Sequence, residues 1–303
     1  VKEGADYIRF LNRSTGKVRS GIGSTRADVN VSCRGGTRVE IKGVAHTGWM
    51  PELTHNEAFR QWALLAIKDF LNQKIKDPAG WRISSREVKA KDFKLDNLGV
   101  PKNTMVKVHI VNLSQFQGVL SHFTQPGKMF ADDLSDRLKV IACIEKPNMV
   151  HSEMFEDVAG DKVWTKVQSL LGSGEDDAQI IFWGPEDDIK TGLETIEERC
   201  RTAFTGVPNE TRKSFEDGTT IFERVLPGAD RMYPDTDSAP IPLEDSTIEE
   251  ARKRLPKLVS ERINQLIEWN VPADTYTYLF KNNLIPLIEK VQVELKVPAR
   301  FTA

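Results

Sequence analysis

The stretch from Arg26 to Lys42 reads Arg-Ala-Asp-Val-Asn-Val-Ser-Cys-Arg-Gly-Gly-Thr-Arg-Val-Glu-Ile-Lys, and it concentrates side chains that can do chemistry. Asp28 and Glu40 offer carboxylate oxygens, the donors that suit a hard divalent cation. Arg26, Arg34, Arg38 and Lys42 offer cations that can offset charge on phosphate oxygens. Apolar and polar residues alternate in both halves: Val29, Val31 and Cys33 share one face, Val39 and Ile41 share one in the second half, and Gly35-Gly36 lies between them. Period two on either side of a glycine pair predicts a β-hairpin. A two-residue loop would mix the faces. A three-residue loop through Thr37 keeps them apart and pairs Arg34 with Arg38, Ser32 with Glu40 and Asn30 with Lys42. One face then carries Asp28, Asn30, Ser32, Arg34, Arg38, Glu40 and Lys42, with Arg26 at its edge. That face reads either as the solvated side of an antiparallel sheet or as the floor of a cleft of mixed charge.

The chain has 303 residues, 39% hydrophobic and 28% charged, long enough for two or three globular domains. Its 42 Lys and Arg balance 44 Asp and Glu, so a nucleic-acid contact would have to come from a local patch. Cys33, Cys143 and Cys200 have neither zinc-site nor disulfide-framework spacing, which fits a reducing, cytoplasmic setting. No apolar run is long enough to span a membrane, and no signal-peptide pattern is present. The chain opens on Val1, inside what already reads as a helix, which suggests a piece of a longer protein.

Lys2 to Asn12 has helical spacing at Tyr7, Ile8 and Leu11. Gly21 to Ser24 forms an approach to the hairpin. It precedes a strand and lacks the Gly-Lys-Ser/Thr ending of a phosphate loop. Gly43 to Pro51 reads as a loop holding His46 and Trp49. Thr54 to Lys74 reads as a helix, begun by a Thr54–Glu57 capping box and striped by Phe59, Trp62, Ala63, Ala66, Ile67 and Phe70. His55 and Glu57 at its start suit capping and solvent exposure better than metal ligation. Arg82 to Lys91 alternates as a strand. Strands at Met105–Val111 and Ala178–Trp183, with helices at Met129–Val140, Asp161–Leu171 and Pro185–Phe204, argue for an inserted α+β segment. Thr219 to Val225 is a strand. The proline- and aspartate-rich run that follows reads as a surface linker or, because Arg231, Asp235 and Asp237 repeat the hairpin's residue types, as a functional loop. From Thr247 the chain is helical, and Arg252, Lys253, Arg254 and Lys257 crowd one helix, as a solvated face or a phosphate-binding patch for RNA.

Gly-Ile-Gly-Ser-Thr-Arg-Ala-Asp-Val-Asn-Val-Ser at 21 to 32 and Gly-Gly-Thr-Arg-Val-Glu-Ile-Lys-Gly-Val at 35 to 44 resemble the signature of the B and E subunits of the tRNA-dependent amidotransferases. Phe116-Gln-Gly-Val-Leu, Val150-His-Ser-Glu and Gly174-Glu-Asp-Asp-Ala look like the inserted domain that the E branch shares with bacterial aspartyl-tRNA synthetase, and Leu226-Pro-Gly-Ala-Asp-Arg-Met-Tyr-Pro-Asp-Thr-Asp looks like that branch's return motif. The resemblance implies an α+β fold in four parts. Residues 1–93 would be the C-terminal half of an antiparallel-sheet catalytic cradle, 94–222 the inserted synthetase-like (GAD) domain, 223–243 the return loop, and 244–303 the start of a helical tRNA-binding domain. It also implies phosphorylation of the side-chain carboxylate of glutamate misacylated onto tRNA(Gln), with ATP and Mg2+, followed by ammonia transfer from an asparaginase-like D subunit. On that reading Asp28, Asn30, Glu40 and Lys42 are catalytic, and Ser32 positions with Asn30. Arg26, Arg34, Arg38 and Arg231 bind phosphate, and Asp28, Glu40, Asp235 and Asp237 hold metal. Arg252, Lys253, Arg254 and Lys257 bind tRNA. Gly43-Val-Ala-His-Thr-Gly-Trp departs from the family's usual run. The N-terminal half of the cradle and the C-terminal tail domain would lie outside this chain, which is therefore expected to be inert alone. A non-catalytic tRNA-recognition module is the alternative. An aspartyl-tRNA synthetase fragment is a weaker one, because the hairpin signature is foreign to that enzyme.

Overall fold

The computed structural model describes residues 1–15, 17–19, 21, 27–93, 100, 106–155, 159–226 and 242–303. Its helices are α1 Lys2–Ser14, α2 Met50–Lys74, α3 Phe130–Ile141, α4 Asp161–Leu171, α5 Glu186–Ala203, α6 Asp245–Lys253, α7 Val259–Glu268, α8 Tyr276–Lys281 and α9 Ile285–Leu295. Its strands are β1 Val29–Val31, β2 Val39–Lys42, β3 Ser84–Val88, β4 Val106–Leu113, β5 Phe123–Gln125, β6 Lys128–Met129, β7 Met149–His151, β8 Ala178–Pro185, β9 Glu210–Ser214 and β10 Thr220–Val225. The fold is α+β. Among the described residues strand pairing is antiparallel except for β2 with β9. Contacts divide the chain into two compact units, Ala27–Leu226 and the combination of Val1–Arg26 with Pro227–Ala303.

In the larger unit the strands form a sheet in the order β1-β2-β9-β10, a second in the order β3-β4-β8-β7, and the β5-β6 hairpin. The central strands of the second sheet are buried on both faces, which is why β4 and β8 read as nearly continuous apolar runs. Val111, Leu113, Ile180 and Phe182 face a core built with α2, α3 and α5, while Val108, Ile110, Ile181 and Trp183 face Phe93, Val100 and α4. The first of these cores also contains Val39 of the hairpin and Leu64, Ile67 and Leu71 of α2. Packing is thus continuous across the boundary expected near residue 94. β9 and the start of β10, assigned by the sequence to the inserted segment, hydrogen-bond into the hairpin's own sheet.

Helix α2 departs from expectation in its start and its faces. It begins at Met50, with Pro51 in its first turn, and the Thr54 hydroxyl donates back to Met50 O at 2.7 Å, so there is no Thr54–Glu57 capping box. Its buried face carries Leu53, Asn56, Glu57, Arg60, Gln61, Ala63, Leu64, Ile67 and Leu71. Phe59, Trp62 and Phe70, expected in the core, are exposed, Trp62 to 62%. Apolar residues lie on both sides of this helix, and polar partners inside the fold determine which side is covered. Trp62→Gln should therefore change unfolding free energy by no more than about 0.5 kcal/mol, whereas Leu64→Ala, two residues on, should cost roughly 2–5 kcal/mol. Urea titrations of the two variants would check this, and equal losses would refute the observed helix orientation.

The smaller unit is helical. Val259, Leu266, Val271, Leu279, Phe280, Ile285, Ile288 and Ala299 form its core, and Phe10 of α1 packs on Phe280 with ring centroids 4.6 Å apart. Among the described residues no helix is long and apolar enough to cross a membrane.

Candidate functional site

The hairpin forms with a register different from the one expected. Val29 lies opposite Ile41, Asn30 opposite Glu40, and Val31 opposite Val39. The shift is two residues, an even number, so every side chain keeps its face while its cross-strand partner changes. The cause lies on α2. Gln61 donates its side-chain N–H to Val31 O at 3.2 Å and accepts the Cys33 N–H at 3.0 Å, gripping the chain where pairing stops. Gly36 N–H then donates to Cys33 O, closing a turn with Gly35 at φ 82°, a conformation a residue with a β-carbon resists. A β-carbon at Gly36 would fall 2.5 Å from the Gln61 side-chain oxygen, so the helix fixes this glycine. The Thr37 hydroxyl donates to Val207 O. The turn is thus built on α2 and on a segment far downstream.

These contacts scatter part of the expected cation set. Arg34 sits exposed in the turn, and Arg38 is exposed just ahead of β2. Asn30, Glu40 and Lys42 stay together on the sheet's outer face. Asp28 is exposed one residue before β1, and continuing the register places it opposite Lys42. The Glu40 and Lys42 side chains retain only 19% and 16% of their exposure, and Lys42 Nζ lies 3.6 Å from Glu40 Oε1. In that partly dry setting charges act more strongly than in bulk water.

β9, which the sequence did not reveal, adds to this face. It runs parallel to β2 with Thr211 beside Glu40 and Lys213 beside Lys42. Across the next pairing Arg224 of β10 lies opposite Thr211. The outer face thus gathers Asn30, Glu40, Lys42, Lys213 and Arg224 around Thr211, which is wholly buried and whose hydroxyl has no hydrogen-bond partner among the described residues. Lys213 and Arg224 are candidate phosphate cations missed by the sequence reading. Only the neighbouring strand's pairing could have pointed to them.

The inner face of β9 explains how so polar a strand can lie inside a sheet. Glu210 and Arg212 project into a buried ionic cluster with Glu57 and Arg60 of α2, Asp133 and Arg137 of α3, and Arg199 of α5. Arg212 Nη1 lies 2.6 Å from Glu210 Oε1 and 3.2 Å from Asp133 Oδ1. Arg60 bridges Glu57 at 2.8 Å and Glu210 at 3.1 Å, Arg199 Nε reaches Asp133 at 2.5 Å, and Arg137 pairs with both Asp133 and Glu210. Burial pushes Asp133 upward, but the guanidiniums of Arg137, Arg199, Arg212 and Arg60 outweigh it and hold the carboxyl well below its usual range. Glu210 is lowered by the same opposition of burial and its arginines. Four guanidiniums face three carboxylates, and Arg199 and Arg137 also lie over the rings of Phe130 and Phe222, at 4.4 and 4.0 Å. Glu57, expected to be exposed at a helix start, is a fully buried member of this cluster.

The remaining expected residues fall elsewhere. Arg26, Arg231, Asp235 and Asp237, with most of the Gly21–Ser24 approach, lie outside the described residues. Ser32 is exposed beyond the end of β1. His46 is exposed and meets Trp49 edge-on, and His55 is exposed on α2. The basic residues near 252–257 do not share one helix. Arg252 and Lys253 end α6, Arg254 caps it, and Lys257 lies in the connection to α7. Three of the four already have anionic partners: Arg252 with Glu249, Arg254 with Glu250, and Lys257 with Glu289.

The oxygen-only donors of the hairpin suit Mg2+, which commonly takes one or two protein carboxylates and fills its other positions with water and nucleotide phosphates. Glu40, partly enclosed, is the stronger candidate ligand, with Asp28 next. Among the described residues there is no group of three or more His, Cys, Asp or Glu placed to hold a metal.

A sequence model of the GatB/GatE catalytic domain matches residues 1–249, which include this hairpin, β9 and β10. The chain belongs to that family. The E subunit of glutamyl-tRNA(Gln) amidotransferase from Sulfolobus acidocaldarius is 33% identical over 302 residues, covering 95% of this chain and 47% of the relative. Its counterpart from Methanocaldococcus jannaschii is 36% identical over 270 residues, 88% of this chain and 42% of the relative, and that from Methanopyrus kandleri is 31% identical over 311 residues, 100% and 48%. The chain spans about half the length of these curated relatives. Family membership agrees with the resemblance carried by residues 21–44, and it gives the charged face of the β1-β2-β9-β10 sheet a catalytic-domain setting.

Proposed function

We propose that this chain supplies part of the catalytic surface of the E subunit of a glutamyl-tRNA(Gln) amidotransferase, working in the cytoplasm with an asparaginase-like partner that delivers ammonia. The observation that carries this reading is the partly enclosed Glu40–Lys42 pair, flanked by Lys213 and Arg224, on a sheet inside the stretch matched to the GatB/GatE catalytic domain. In the first step a glutamyl carboxylate oxygen attacks the γ-phosphorus of ATP, forming γ-glutamyl phosphate and releasing ADP. In the second, ammonia attacks the activated carbonyl and phosphate departs, leaving Gln-tRNA(Gln). Both reactants of the first step are anions, so the face must offset negative charge before they can meet. Lys42, Lys213 and Arg224 offset charge on phosphate oxygens, and Asn30 orients the acceptor. Glu40, with Asp28, would hold Mg2+, which supplies Lewis-acid stabilisation of the transferring phosphoryl group. Asp235, Asp237, Arg231 and Arg26 would complete this chain's part of the set, and the chain, which spans about half the length of its relatives, is expected to be inactive by itself. The part of 94–222 that precedes β9 serves in this reading as the GAD-type insertion.

Single-turnover assays on the full-length protein assembled with its partner, using γ-labelled ATP and Glu-tRNA(Gln), test the proposal. Label should move to the glutamyl group only with Mg2+ present. Tight tRNA binding with no ATP consumption would replace this reading with that of a tRNA-recognition module. The residues at 252–257 carry a second expectation. Changing Arg252, Lys253, Arg254 and Lys257 together to Ala should weaken tRNA binding about tenfold near 150 mM salt and flatten the plot of log K against log salt by roughly 1–3. Their existing carboxylate partners keep the effect below that of four free cations. Filter binding across a KCl series measures it, and an unchanged slope would remove these residues from the interface.

A further inference from the structure

Among the described residues strand β3 stands at the end of its sheet, paired only with β4. Ser84, Ser85, Arg86 and Glu87 are exposed, so among the described residues one row of its backbone groups has no partner strand. Its side chains alternate between the two layers of the sheet. Ser85 and Glu87, opposite Val111 and His109, face α5, while Arg86 and Val88, opposite Ile110 and Val108, face α4.

A pocket lies on each side of this edge, and the two have opposite charge. On the α5 side a cavity of about 780 Å3 is floored by Ile83, Leu193 and Phe204 and is lined by Glu194, Glu197, Glu198 and Arg201, with Arg82 3.5 Å from Glu197 and Lys190 4.0 Å from Glu194. On the α4 side a cavity of about 440 Å3 is lined by Arg86, Lys89 and Lys166 against one carboxylate, Glu87. Glu87 is itself drawn to the α5 side by Lys107 at 3.1 Å. The Lys166 ammonium lies 4.5 Å from the Phe93 ring, over a partly apolar floor.

We infer that β3 is a docking edge for an extended segment of a partner protein, which adds as a fifth strand and whose side chains alternate basic and acidic. A strand laid along five residues covers about 17 Å and sends successive side chains to opposite faces. Its basic side chains enter the α5-side cavity with their methylenes on Ile83, Leu193 and Phe204, and its acidic ones meet Arg86, Lys89 and Lys166. Main-chain hydrogen bonds supply sequence-independent affinity, and the two pockets supply selectivity. The same charges repel a strand of the wrong phase, because a slip of one residue sets like charges together.

The test uses the 303-residue chain and two fluorescein-labelled octapeptides of identical composition, one alternating Arg and Glu, the other with four Arg followed by four Glu. Fluorescence polarisation should show the alternating peptide binding at least tenfold more tightly. Hydrogen exchange should slow at amides within 84–88 when it is bound. Glu194→Lys with Glu198→Lys, both at exposed helix positions, should weaken binding at least tenfold with the circular dichroism spectrum unchanged. Equal binding of both peptides, binding without protection of 84–88, or indifference to the two lysines would overturn the inference. So would concentration-dependent dimerisation that protects the same amides, since the occupant would then be a second copy of this chain.

Discussion

Glu40→Gln in the assembled protein should cut ATP-dependent formation of γ-glutamyl phosphate by roughly 10^2–10^3-fold, the loss typical when one preorganised electrostatic group is removed from a polar transition state. The substitution keeps shape and hydrogen bonding but removes the charge that would hold a cation, and Glu40→Ala should lose at least as much. Folding should lose little, because at 3.6 Å Lys42 and Glu40 are too far apart to share a hydrogen bond, although the pair is partly enclosed. Binding of Glu-tRNA(Gln) should change less than about twofold, since the long-range attraction of RNA depends on many cations rather than on one carboxylate. Rapid-quench measurement of label transfer, with tRNA affinity measured in parallel, separates chemistry from binding. Unchanged turnover would remove Glu40 from the site and with it the metal assignment.

The second large effect lies beneath this face. Asp133→Ala should destabilise the chain by about 3–5 kcal/mol, because Arg137, Arg199 and Arg212 would lose a shared buried counter-charge and cannot shed their protons. The acid dependence of stability should change as well. The Asp133 and Glu210 carboxyls are lowered in the fold, so the stability they contribute is fully present above their unfolded values near about 4. It is lost as pH falls through the folded values. The Asp133→Ala variant should show a shallower loss of stability between about pH 4 and pH 2 than the parent. Urea unfolding at a series of pH values measures both the offset and the slope. A loss below about 1 kcal/mol would mean that the arginines find compensation elsewhere, and the cluster would not be what holds β9 in its sheet.

Much of the framework was legible because local pattern and tertiary environment agreed. α4 occupies the residues expected for it, and β4, β8, α3 and α5 lie within a few residues of their expected bounds. In the helices apolar residues recur at the helical period, and β4 and β8 stand out as short, nearly continuous apolar runs. The hairpin was legible for the same reason. Its alternation survives the two-residue change of register, so Asn30, Glu40 and Lys42 occupy the face assigned to them. β9 was invisible. Glu-Thr-Arg-Lys-Ser has no apolar alternation, and it is buried only because Arg212 and Glu210 find opposite charges on α2 and α3. The same cluster misled the reading of α2. A rule that buries aromatics and exposes Glu and Arg turns the helix toward Phe59, Trp62 and Phe70, whereas Glu57, Arg60 and Gln61 are the residues that face the fold.

By itself the sequence determined the α+β class, the position of most elements and, through residues 21–44, the family, because side-chain periodicity and motif order are properties of adjacent residues. The tertiary structure decided the hairpin's partners, the entry of Lys213 and Arg224 onto its charged face, and which side of α2 is buried. Those outcomes depend on whether a charge meets its opposite from a segment 70 or more residues away, as Asp133 meets Arg212. Only folding brings such groups into contact.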